Sequence, residues 1–254
     1  MAKQSSKKAS KKPPAKATRK PRGLGDIDLA LPQVTPSQRR RAKRLADALA
    51  EHYPDAHCEL EYTTPHELLV ATILSAQSTD VGVNKATPAL FEAFPTPADY
   101  AAATPKQIEP YIKTIGLFRN KAKSIHAAMT EVAERYGGEV PRTMDELLTL
   151  RGVARKTANV VLGDAFGINM GFVVDTHVDR LSRRLGLAPE DATVAMVERH
   201  LMALFPRDRW CGLSHQLIFH GRRACKARGG PCGEHPICKS FGRTCDRRAA
   251  GTRS

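Results

Sequence analysis

Lys156 is the side chain whose neighbours best equip it to act as a nucleophile. It follows the turn Leu150-Arg151-Gly152-Val153-Ala154, after which Val160, Val161, Ala165 and Phe166 continue Val153 at roughly helical spacing. Upstream, Met144 to Leu150 reads as a short helix, with Thr143 as its cap and Glu146 placed to complete a capping box. The local pattern is therefore helix, glycine hairpin, helix. Gly152 supplies the open backbone angles that the turn demands. The start of the second helix presents unpaired N–H groups and a positive dipole end, which suits a phosphate. That helix end, with Arg155 alongside, works against a charged ammonium at Lys156. A neutral amine can form a Schiff base. Taken alone, Lys156 reads more simply as a solvated cation or a phosphate contact. What strengthens the chemical reading is a second stretch, Val173-Val174-Asp175-Thr176-His177-Val178, in which Asp175 has the position of a helix N-cap.

A second group of reactive side chains lies near the end of the chain. Cys225, Cys232, Cys238 and Cys245 follow the spacing C-x6-C-x5-C-x6-C. Four thiolates can hold zinc or a four-iron cluster. The tight C-x2-C knuckles usual for zinc are missing, and gaps of five and six residues suit a larger cluster better. Unconnected free thiols are the weaker alternative. Cys58 and Cys211 are remote in sequence and read as ordinary buried thiols.

The elements that must position these residues read as helices throughout. Ser37 is expected to cap a helix running to about Tyr53, and Pro54 ends it. Thr64-Pro65-His66-Glu67 opens the next helix, whose run Leu68 to Leu74 is apolar on all sides and so belongs in a core. Helices follow from Asp80 to Phe94, near 97–103 and 105–112, and from the turn Thr114 to Lys121 up to Tyr136. Asp80 serves equally well as the cap of its own helix. Further helices are expected near 177–186, 191–205 and 209–223, and no strand pattern is present. The expected class is all-α.

The chain has 254 residues and a formal net charge of +14, which points to a polyanionic partner. Nine Lys or Arg and no acid fall within residues 1–22, leaving 31 basic against 26 acidic residues elsewhere. A disordered basic arm over 1–35 would add salt-sensitive affinity for nucleic acid without reading its sequence, and a tail that only keeps the chain in solution reads equally well. No stretch approaches the ~20 apolar residues of a membrane span, and the N-terminus lacks an apolar signal core.

These motifs together resemble the endonuclease III family, bifunctional DNA glycosylases of the helix-hairpin-helix (HhH-GPD) superfamily. The resemblance runs from about residue 37 to 246. It is carried by LLVATILSAQSTD at 68–80, YIKTIGLFRNKA at 111–122, GVARKTANVVL at 152–162, VDTHV at 174–178 and the terminal cysteines. It implies that Lys156 attacks the sugar C1′ and that Asp175 activates it and stabilises developing positive charge. Gln77 and Leu117 match residues that enter the duplex to fill the place of an extruded nucleotide, and Asp80 matches an acid near the pocket. Gly152, Ala154, Arg155 and His177 fall where the family meets the DNA backbone, and Lys226 and Arg228 where its cluster loop presents basic side chains.

Two departures accompany the resemblance. The family hairpin reads G-V-G, and Ala154 stands for its second glycine. The family cysteines run C-x6-C-x2-C-x5-C, whereas His235 and Phe241 occupy the third and fourth of those positions here. All four cysteines are still expected to hold one [4Fe-4S] cluster through a reshaped loop, in preference to a mixed set with His235.

The implied architecture is two helical domains with the active site in the cleft between them. Residues 57–169 form a six-helix barrel bearing the hairpin, residues 36–56 with 170–246 form the cluster domain, and 247–254 fray. The implied protein is a monomer acting on double-stranded DNA with damaged bases, bacterial-type, cytoplasmic and associated with the nucleoid. It removes oxidised pyrimidines through a lysine Schiff base and nicks the strand by β-elimination. An adenine-type monofunctional glycosylase would lack a lysine at position 156. A purely DNA-binding module would need neither Lys156 nor Asp175, and an electron-transfer protein would explain only the cysteines.

Overall fold

Threonine–proline pairs set much of the helix framework. The computed structural model describes residues 30–228 and 232–243. Helices begin at Pro36, Pro65, Pro97 and Pro105, each directly after a threonine, with Gln38, Glu67, Asp99 or Gln107 reaching back to the cap backbone. Proline at the first helical position gives up an N–H that has no intrahelical partner there, while the returning side chain satisfies another. The first cap is Thr35 and not Ser37, because Pro36 already lies in the helix and Thr35 Oγ1 accepts from Gln38 N–H. Likewise Thr79, not Asp80, caps the helix that starts at Asp80.

In chain order the helices are α1 (Pro36–His52), α2 (Pro65–Ser75), α3 (Asp80–Ala93), α4 (Pro97–Ala102), α5 (Pro105–Ile112) and α6 (Phe118–Arg135). They continue with α7 (Met144–Thr149), α8 (Arg155–Val160), α9 (Thr176–Arg184), α10 (Val194–Leu204), α11 (Trp210–Arg223) and α12 (Pro236–Phe241). A π-helical turn, Val161–Ala165, prolongs α8, and a 3-10 turn precedes α11. The described residues contain no strand, so the fold is all-α. None of these helices is long and apolar enough to cross a membrane.

Two hydrophobic clusters organise the helices. In the first, every residue of α2 from Leu68 to Leu74 is buried, as its all-round apolar sequence demands, and α3 to α8 pack around it. In the second, Leu45 and Leu49 of α1 meet Val178 and Leu181 of α9 together with α10, α11 and Cys225, Cys232 and Cys238. Burying one such leucine stabilises by roughly 2 kcal/mol. The chain crosses between the clusters at Phe172-Val173-Val174. Phe172 and Val174 enter the second cluster and Val173 the first. That alternation is what an extended segment imposes. It delivers Asp175 to the seam with its backbone already fixed. The N-terminal arm, Cys245 and the tail 247–254 lie outside the described residues.

Candidate active site

The hairpin takes the form its sequence demands. Thr143 accepts from Glu146 N–H to start α7, and Gly152 adopts φ +85° between α7 and α8. A Cβ at Gly152 would also stand 2.9 Å from Ser124 Cβ, so the turn needs glycine for conformation and for space. Ala154, in contrast, is the N-cap of α8 with φ −100° and ψ 170°. That is ordinary extended backbone, so this position accepts a methyl group without strain.

Lys156 is the second residue of α8 and is exposed. Asp175 approaches from the other side as the N-cap of α9, its Oδ1 accepting from His177 N and Val178 N at 2.8 Å each. Oδ2 takes no part in either bond. Both side chains line one cleft of about 1340 Å³, together with Gln77, Asp80, His177 and Arg222. Lys156 thus comes from the first cluster and Asp175 from the second.

Electrostatics at Asp80 register how tightly these groups are gathered. Burial is the largest influence and raises its carboxyl above the ordinary range. Lys156 pulls it down, Asp175 pushes it up, and His177 pulls it down again. Arg222 donates from Nη2 to Asp80 Oδ2 at 2.6 Å and also pairs with Glu59. Arg222 and Glu59 carried no signal in the sequence. Arg222 and Asp80 lie 142 positions apart, and neither sits in a motif that names the other.

Gln77 and Leu117 share an unusual backbone. They are the non-glycine residues with positive φ among those described, at 56° and 59°. Side chains in that region cost roughly 1–2 kcal/mol, and the surrounding structure must hold them there. In the turn before α6 the left-handed residue is Leu117 and not the adjacent Gly116, and Leu117 is 60% exposed at the head of the helix. Lys121 ties the two tips together. It is buried, and its ammonium donates to Leu74 O at 2.8 Å and Ser78 Oγ at 2.9 Å, on either side of Gln77.

The Arg155 side chain is engaged within the fold. Its Nε donates to Glu198 Oε1 and Oε2 at 3.0 and 2.9 Å, and Asn159 Nδ2 meets the same carboxylate. The guanidinium is thereby turned into the seam between α8 and α10, where its charge is neutralised by Glu198 and does not stand free beside Lys156. His177 is half-buried, with Nδ1 3.3 Å from Arg180 Nη2. Gly221 of α11 packs so closely here that a Cβ would lie 2.9 Å from His177 Cβ. Lys226 and Arg228 are exposed.

The cysteine group is well formed within the described residues. Cys225 Sγ lies 3.5 Å from Cys232 Sγ, all three sulfurs of Cys225, Cys232 and Cys238 are buried, and none is in a disulfide. Cys225 is held down to about 5, first by its hydrogen bond with Cys238, against the opposing effect of burial, with Arg184 Nη1 adding a contact at 3.4 Å. Buried sulfurs gathered beside a guanidinium are the donor chemistry that a thiolate-held metal centre needs. His220 Nε2, 3.3 Å from Cys238 Sγ, belongs to the same group. His235 does not. Its Nδ1 caps α12 by accepting from Ile237 N–H, and its Nε2 faces Tyr53 Oη. The lengthened gap is taken up by α12, which carries Cys238 inward; Phe241 ends that helix, and its carbonyl accepts from Arg41 at 2.6 Å. The fourth expected ligand, Cys245, lies outside the described residues.

The chain is similar to known proteins over most of its length. Residues 70–207 match the model for the HhH-GPD superfamily base excision DNA repair protein family. The endonuclease III of Synechocystis sp. is 52% identical over 198 residues, spanning 78% of this chain and 90% of the relative. That of Escherichia coli K12 is 43% identical over 195 residues, spanning 76% and 92%. A solved structure of a trapped endonuclease III–DNA covalent intermediate superimposes with TM-score 0.78 at 44% identity, covering 85% of this chain and all of the other. A thermostable thymine-DNA glycosylase, 21% identical with TM-score 0.73, shares the fold. With more than half its length matched by the family model, and with relatives this similar over nine-tenths of their own length, the chain belongs to the HhH-GPD superfamily of base excision DNA repair proteins, in its endonuclease III branch.

Proposed function

We propose that this chain removes oxidised pyrimidines from duplex DNA with Lys156 as the nucleophile and Asp175 as the charge that supports it. As an endonuclease III relative it is a DNA glycosylase of base excision repair with AP lyase activity. The observation that carries the residue assignment is the meeting of Lys156 and Asp175 in one cleft from different hydrophobic clusters.

The Lys156 amine bonds to the sugar C1′ as the C1′–base bond breaks, and the base leaves with the bonding electrons and takes up a proton. Asp175 accepts the proton that the amine gives up and opposes the positive charge developing on the sugar, where a fixed carboxylate is worth most. The sugar ring then opens to a Schiff base. Loss of a C2′ proton to a base expels the 3′ phosphate and breaks the strand. Gln77 and Leu117 occupy the place of the extruded nucleotide, an amide toward the estranged base and an apolar side chain toward the stack. Holding both tips in the left-handed region aims them before DNA arrives. Gly152, Ala154 and His177 approach the phosphates, and Lys226 and Arg228 extend that contact. We further assign Cys225, Cys232, Cys238 and Cys245 to one [4Fe-4S] cluster, whose part is to hold this corner of the fold together. The basic arm adds salt-sensitive affinity.

Borohydride reduction on a duplex carrying an oxidised pyrimidine tests the assignment. The parent protein should give a covalent adduct, and Lys156→Gln should give none while still binding the duplex. An undiminished adduct in that variant would place the nucleophile elsewhere. Base release by the parent with no adduct would instead mark a monofunctional glycosylase.

A further inference from the structure

Cys58 and Cys211, read from the sequence as unrelated buried thiols, meet in the fold around Asp164. Asp164 lies in the π-helical turn that prolongs the helix bearing Lys156, and such turns frequently mark functional sites. Its Oδ1 stands 2.7 Å from His215 Nε2 and 3.5 Å from Cys211 Sγ, and that sulfur is 3.8 Å from the same Nε2. The Asp164 side chain is 9% exposed and that of His215 10%, yet Asp164 Oδ2 is buried with no hydrogen-bond partner. Cys58 and His215 line one small cavity of about 80 Å³ that also touches Lys156 and Asp175. Tyr62 Oη donates to the Asp164 carbonyl at 3.3 Å, fixing the turn from the segment that carries Cys58.

Two chemistries could use a thiol, an imidazole and a carboxylate. A nucleophilic thiol needs them in line, with one imidazole nitrogen toward sulfur and the other toward the carboxylate. Here sulfur and carboxylate both face Nε2, so the donors converge on a point. Convergence is the geometry of a chelate. Around a tetrahedral zinc, with bonds of ~2.0–2.3 Å, neighbouring ligand atoms stand roughly 3.3–3.6 Å apart. The Cys211–Asp164 distance of 3.5 Å already falls in that range, the Cys211–His215 distance of 3.8 Å lies just beyond it, and the 2.7 Å Asp164–His215 contact must open to admit the ion. Mixed nitrogen, sulfur and oxygen donors favour zinc over magnesium or calcium, which prefer oxygen alone.

We propose that Asp164, Cys211 and His215 hold a zinc ion at a site separate from the terminal cysteine group. Such a site would join two stretches of chain behind the cleft, the turn after α8 and the helix α11. It would thereby brace the helix that presents Lys156 against the second cluster.

The test uses the full-length protein with its iron content measured. The chain is given one equivalent of zinc chloride, desalted, and its zinc and iron are counted; its melting temperature is recorded with and without zinc. The parent should retain one zinc beyond the terminal cysteine group and melt higher when loaded. Cys211→Ser and Asp164→Asn, the second of which preserves shape, should each weaken zinc retention by more than the ~10–100-fold that loss of an outer partner costs. Iron content should not change in either variant. Cobalt in place of zinc should show a thiolate charge-transfer band that disappears in Cys211→Ser. The proposal fails if the parent keeps no zinc, or if both variants keep it as well as the parent does. It fails equally if Cys58 and Cys211 are found as a disulfide instead.

Discussion

At the scale of single residues, Asp175 has two tasks that make different demands. As a cap it needs an acceptor, and Oδ1 meets that need by taking two N–H groups. As a partner for a cationic sugar it needs a full charge. Asparagine satisfies the first demand and not the second, so Asp175→Asn separates them. Capping by Asn is about as good as by Asp, so the melting temperature should change little. Single-turnover release of an oxidised pyrimidine should fall at least ~10²-fold, as for loss of one strong electrostatic stabiliser. Release within a few-fold of the parent, with the fold intact, would reduce Asp175 to a cap. Lys156 and Asp175 were legible because each sits in a local pattern, a glycine hairpin and a capped helix start. Asp80 and Arg222 were not legible as a pair. Their salt bridge closes over a long loop of chain, and a charge in sequence carries no sign of its distant partner. The place of the Arg155 guanidinium was not legible for the same reason, since Glu198 and the Met170 carbonyl that hold it are remote in sequence.

Among the elements, the joint between α2, α3 and α6 decides how the two strained tips are held. Lys121 is buried in α6, and burial pulls its ammonium below the ordinary lysine range. It stays there by donating to Leu74 O, a carbonyl in the last turn of α2, and to Ser78 Oγ. Helix ends leave such carbonyls without intrahelical partners. One ammonium thus satisfies the end of α2 and pins the segment holding Gln77 to the helix headed by Leu117. Lys121→Met keeps the aliphatic length and removes both bonds. Leaving the buried carbonyl unsatisfied should cost roughly 1–3 kcal/mol. Amide exchange should rise at residues 75–79 well before global unfolding, and base release should slow while borohydride trapping still occurs. Unchanged exchange in that segment would show that the tips are held by something else. The start of α2 was legible from Thr64-Pro65 and most other helices from apolar periodicity, which act over a few residues. The left-handed backbone at Gln77 and Leu117 was not, because both residue types ordinarily avoid it.

Over the whole molecule, the second hydrophobic cluster draws on both ends of the chain, α1 from one and α9 to α12 from the other. Its three described cysteines lie where these meet, so whatever they bind fastens the termini of the fold together. The α12 helix was invisible in the sequence because Gly233, Pro236 and Gly242 read as loop formers. In the fold, Pro236 is the first residue of that helix and His235 its cap. A lengthened loop costs little closure entropy, about 0.6 kcal/mol for each doubling, so the inserted residues do not oppose a shared centre. The helix they form instead turns Cys238 toward Cys225 and leaves Lys239 exposed. The purified protein should therefore be brown and hold about four irons. Cys238→Ala should lose the iron and lower the melting temperature, because the packing of α12 against α1 then lacks its anchor. His235→Ala should keep the iron, since both nitrogens of that ring are turned to Ile237 and Tyr53. Iron and zinc counted on the two variants decide the matter. Zinc in the place of iron, or iron lost with His235, would show that the centre is built on a different set of ligands.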